Sequence, residues 1–68
     1  MKTIEMYTYR RSELFNAVMD WMMCEWKESK VHYNVTCDRK TGVVKVRIEN
    51  LTQHDYNVLK GFRERIAA

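Results

Sequence analysis

Two runs of alternating residues, Val31 to Cys37 and Val43 to Ile48, flank the connection Asp38-Arg39-Lys40-Thr41-Gly42, and no other feature restricts the fold so narrowly. Alternation with a period of two marks a strand with one face buried. In the first run Val31, Tyr33, Val35 and Cys37 share one face, with His32, Asn34 and Thr36 on the other. In the second, Val44, Val46 and Ile48 oppose Lys45 and Arg47. Gly42 can take the positive φ that a bulged hairpin turn needs, so the segment is predicted to be a β-hairpin.

Thr3 to Tyr9 alternates in the same way, Ile4, Met6 and Thr8 against Glu5, Tyr7 and Tyr9, and predicts a half-exposed strand. Either Ile4 and Met6 or Tyr7 and Tyr9 could fill a core, and the pattern leaves that facing open.

The remaining segments have helical spacing. Ser12 is placed to cap a first helix, with Glu13 near the positive end of its dipole, and the helix is expected to run to about Ser29. At 100° per residue Leu14, Phe15, Val18, Met19, Met22 and Trp26 fall in one arc, opposite Asn16, Asp20 and Lys27. Ala17, Trp21 and Cys24 lie on one flank of that arc and Met23 on the other, so more than half the circumference is apolar. Thr52 is placed to cap a second helix reaching about Ile66, with Asp55 bonding back to the cap and Leu51 stapling onto Tyr56. Its apolar stripe is Val58, Leu59, Phe62 and Ile66; Asn57, Lys60 and Glu64 form the wet side, and Gly61 in mid-helix, which costs about 1 kcal/mol relative to alanine, either permits close helix approach or is a tolerated defect.

The order is therefore β-α-β-β-α. The simplest packing is an α+β fold, a single small domain over residues 1-68, with a three-stranded antiparallel sheet and both helices on one face. That packing buries the Val/Tyr face of the hairpin. Hydrophobic residues at 46% with 31% charged and no proline belong to a folded chain. A domain of 68 residues buries only about 60% of the surface its unfolded chain exposes, so added stabilisation is expected from outside the core.

Chemistry is sparse. Cys24, His32, Cys37 and His54 are the available soft donors, but their spacing matches no paired zinc arrangement, and His32 and Cys37 alternate to opposite faces of one strand. His54 beside Asp55 sits in a first helical turn, where capping and solvation account for both. Two glycines cannot build a phosphate loop. The sequence thus predicts a protein that is not an enzyme, with no catalytic, cofactor or metal residues and no small-molecule substrate.

Two binding surfaces remain. The excess apolar arc of helix 1 predicts a protein interface through Met19, Trp21, Met23 and Cys24, rimmed by Arg10 and Arg11, on a small regulator, inhibitor or adaptor. Self-association as a homodimer through that helix, docking on a larger protein, or both would cover it. The alternative is a nucleic-acid surface on the open sheet face. It would comprise Tyr7, Tyr9, His32, Asn34, Thr36, Lys45 and Arg47, extended by Arg39 and Lys40 at the hairpin tip, in a chain of net charge +3. The N-terminal residues do not read as a signal peptide, because Glu5 interrupts any apolar run, and no stretch approaches a membrane span. A cytoplasmic protein with both cysteines free and no membrane partner is the matching expectation.

Overall fold

The computed structural model describes every residue from Met1 to Ala68. The elements are β1 (Lys2–Tyr9), α1 (Glu13–Cys24), β2 (His32–Cys37), β3 (Val43–Leu51) and α2 (Gln53–Arg65), in the predicted order. β3 is the centre of the sheet and pairs antiparallel with β1 on one side and β2 on the other.

The register settles which residues face inward. Ile4 stands opposite Ile48, Met6 opposite Val46 and Thr8 opposite Val44, and all six are buried. Tyr7 and Tyr9 consequently point to the open face, where they are 61% and 50% exposed. Thr8 tolerates burial because its hydroxyl bonds both the Ser12 hydroxyl and the Ala68 carbonyl.

β3 runs past Ile48 to Leu51, and strict alternation would turn Leu51 out to water. The register with β1 shifts between Ile4 and Lys2, so that β3 carries one extra residue, and Asn50 adopts φ 65° there. This is a β-bulge with Asn in the left-handed position usually held by glycine. It returns Leu51 to the core, where it is fully buried. The Asn50 side chain also donates to the Lys30 carbonyl at 3.1 Å, tying down the approach to β2.

The helices begin as their sequences require. The Ser12 hydroxyl accepts from Phe15 N and the Thr52 hydroxyl from Asp55 N, satisfying backbone donors that lack helical partners. Another such donor, Leu14 N, bonds the Ala67 carbonyl at 3.1 Å, so the last residues of the chain dock on the start of α1. Asp55 does not bond back to the cap as expected. Its carboxylate is buried and pairs with Lys27 Nζ at 3.3 Å, linking α2 to the segment after α1.

α1 ends at Cys24, five residues before the predicted Ser29. Trp26 takes φ 58°, Trp26 N donates to the Met23 carbonyl and Lys27 N to the Met22 carbonyl. These are the two bonds of a helix-terminating Schellman turn. Trp26 and Lys27 therefore leave the helical wheel. Trp26, expected in the core arc, is 75% exposed instead.

Leu14, Val18, Trp21 and Met22 of α1 and Leu59 of α2 pack on the inward residues of β1 and β3 to make one core. α2 lies over β1 and β3 and against α1. β2 is different: all six of its residues are exposed. The expectation that the hairpin would bury its Val/Tyr face thus holds for β3 and fails for β2, because two short helices roof only two strands.

Candidate functional site

β2 pairs so that Tyr33 stands beside Ile48, Val35 beside Val46 and Cys37 beside Val44. Directly opposite residues in an antiparallel pair point to the same face. Tyr33, Val35 and Cys37 thus extend the floor of the core sideways, beyond the reach of the helices, with Tyr33 45% and Val35 39% exposed.

α1 packs against β1 and α2. Ala17, Trp21 and Cys24 share a cleft with Val58 and Phe62 of α2, so that flank of α1 faces α2. Phe15, Met19 and Met23 project from the opposite flank, away from α2. Phe15 and Met19 are half-buried at the core margin, Met23 is 63% exposed, and the Trp26 ring stands free just beyond the helix end. Met23 and Trp26, on and just after α1, and Tyr33 and Val35, on the inward face of β2, are thus exposed large apolar side chains.

The proposed interface residues are accordingly redistributed. Trp21 is only 7% exposed and belongs to the core of a single chain, because its position on the α2-facing flank places it under that helix. It is not an unsheltered surface residue. Cys24 is exposed but faces the interhelical cleft, on the opposite flank from Met19 and Met23. Arg10 and Arg11 lie in the β1–α1 turn. That turn is at the same end of the sheet as the hairpin tip, because Tyr9 pairs with Val43. Sequence reasoning missed Trp26, Tyr33 and Val35. The alternation showed that Tyr33 and Val35 face inward, but only strand order shows that no helix covers them.

The interhelical cleft encloses about 510 Å³ and gathers Cys24, His54 and Asp55. No hydrogen bond joins the thiol to the imidazole, and the Asp55 carboxylate is engaged by Lys27. The relay needed to activate a nucleophile is not assembled there. Nowhere in the chain do three or more His, Cys, Asp or Glu side chains gather as a metal-binding group.

The open sheet face does bring together Tyr7, Tyr9, His32, Asn34, Thr36, Lys45 and Arg47, in rows such as Glu5–Arg47–Asn34 and Tyr7–Lys45–Thr36. Its cations are not free. Lys45 lies 3.6 Å from Glu5, and Arg47 bonds both Glu5 and Glu49. The hydrogen bond from Arg47 holds the Glu49 carboxyl below its ordinary pKa, and the bonds to Glu49 and Glu5 raise that of the guanidinium. Glu5 and Glu49 thus compensate Lys45 and Arg47 around a shallow hollow of about 130 Å³. Uncompensated positive charge lies instead at the end of the sheet, where Arg10, Arg11, Arg39 and Lys40 are exposed.

No helix is long and apolar enough to cross a membrane. Comparison with protein-family models, with curated proteins and with solved structures finds no match to this chain.

Proposed function

We propose that this chain is a non-catalytic protein-binding module, a small regulator or adaptor, whose docking surface comprises Met19, Met23, Trp26, Tyr33 and Val35. The observation that carries this reading is Trp26. A large indole sits three-quarters exposed on a left-handed backbone, a conformation that costs a non-glycine residue roughly 1–2 kcal/mol and that helix ends normally give to glycine. The ring returns little of that cost through packing within the chain. Strained, exposed aromatic positions of this kind fit binding anchors.

The nucleic-acid reading has one observation in its favour, the exposure of Tyr7 and Tyr9 beside Lys45 and Arg47. The carboxylates of Glu5 and Glu49 weigh against it, because a phosphate would have to displace them.

Capture from native extract on the immobilised chain, with and without nuclease, separates the two. Protein docking predicts a nuclease-resistant protein that is lost with Met23→Asp or Trp26→Asp and retained with Lys45→Glu/Arg47→Glu. Capture abolished by nuclease and indifferent to Trp26→Asp would transfer the function to the open face.

A further inference from the structure

The two edges of the sheet are treated differently. On the β1 edge, α2 lies alongside and Arg63 Nη1 donates to the Glu5 main-chain carbonyl at 2.9 Å, while Lys2 stacks over the Tyr56 ring. A guarded edge cannot accept another strand. β2 has no such guard. It contains no charged residue and no proline, which are the usual devices against edge pairing, and every residue in it is exposed.

The direction of its free groups follows from one bond. Asp38 N donates across to the Val43 carbonyl at 2.8 Å, and the register is unbroken from that pair back to His32 opposite Glu49. In an antiparallel ladder the bonding positions alternate. The main-chain groups of Thr36, Asn34 and His32 therefore point into the sheet, and those of Cys37, Val35 and Tyr33 point outward from its edge.

We infer that β2 pairs antiparallel with β2 of a second copy of this chain, with Val35 opposite Val35 on the twofold axis, joining two three-stranded sheets into one. This pairing rests on the protein-binding reading and names its partner. Its support is self-complementarity. With Val35 on the axis, Tyr33 faces the second copy's Cys37, and every outward main-chain group from Tyr33 to Cys37 meets its complement. On the inward face Tyr33, Val35 and Cys37 of both copies make one apolar floor. On the open face Asn34 meets Thr36, and His32 meets Asp38, a complementary pair that the symmetry makes twice. No like charges are brought opposite each other within the strand.

Sedimentation of the full chain tests this across about a hundredfold range of concentration. A species of twice the 8.3 kDa chain mass is expected. Val35→Lys should weaken it by about a hundredfold or more, since two ammonium groups would meet in the apolar floor, with the far-ultraviolet dichroism unchanged. A second measurement does not depend on that variant folding. In a Cys24→Ser/Cys37→Ser background, Val35→Cys should cross-link on mild oxidation, because hydrogen-bonded antiparallel partners sit about 5.5 Å apart at Cα, within disulfide reach. Asn34→Cys should not, since its counterpart is a diagonal neighbour roughly 7–8 Å away. A wild-type chain that stays monomeric, a dimer that survives Val35→Lys, or cross-linking through position 34 and not 35 would each overturn the pairing. A monomer that still captures protein in a Trp26-dependent manner would overturn this pairing and leave the docking reading standing.

Discussion

Trp26 and Arg47 show how far single residues can be read. Helical spacing put Trp26 in the core because nothing in Glu25-Trp26-Lys27 announces a helix end: no glycine follows, and the termination is made by backbone bonds to Met22 and Met23. The physical consequence is a separation of stability from binding. Trp26→Gly should raise the free energy of unfolding by about 1 kcal/mol, because glycine takes φ 58° without steric cost, and the same variant should lose captured protein. A denaturant titration run beside the capture assay checks both, and a loss of stability on substitution would show that the indole serves the fold. Arg47 is a second case, since alternation placed it on the open face and could not show that Glu5 and Glu49 occupy it. The Glu49 carboxyl, held down chiefly by the Arg47 hydrogen bond, should titrate by NMR below the usual glutamate range, and Arg47→Gln should bring it back up. Because a depressed carboxylate stabilises the folded state above its unfolded pKa, this contribution should be present at neutral pH and fade as acid approaches the folded value.

At the scale of elements, period and capping rules carried most of the architecture. The hairpin, the first strand, both caps and the β-α-β-β-α order follow from residues within a few positions of each other, and local rules suffice for them. The end of β3 was not legible, because a bulge is a register event between two strands. Asn50 makes it possible, being among the few residues that accept a left-handed backbone readily. Asn50→Val should therefore cost about 2 kcal/mol, combining strain at φ 65° with the lost bond to the Lys30 carbonyl and a weakened seat for Leu51. Asn50→Gly should stay close to wild type in the same chemical unfolding experiment. Equal destabilisation by both would place the effect in the side-chain bond alone. In α2, a Cβ on Gly61 would collide only with the guanidinium of Arg65, the mobile end of an exposed side chain. Gly61→Ala is expected to stabilise by about 0.5–1 kcal/mol.

For the molecule as a whole, the sequence pointed to an apolar excess on α1, and of the residues it named there Trp21 is buried while Met23 and Cys24 are exposed. Counting apolar residues on α1 made Trp21 surplus, whereas α2 lies against its flank and encloses it. A surplus also lies at β2, where strand order puts Tyr33 and Val35 outside the roof formed by two helices. That is a property of topology: the residues facing inward on an edge strand are sheltered only if a helix reaches them, and no pattern within the strand reports whether one does. A chain of this size has little core to spare, so covering that floor with a second copy should be visible in stability. Unfolding a dimer to two chains makes the midpoint concentration-dependent, since mass action favours the associated native state. The thermal midpoint of the wild type should rise as protein concentration is raised, and that of Val35→Lys should stay level and lie below it. If both midpoints are independent of concentration, the edge of β2 contributes nothing to the folded state in solution, and the pairing of two copies through it fails.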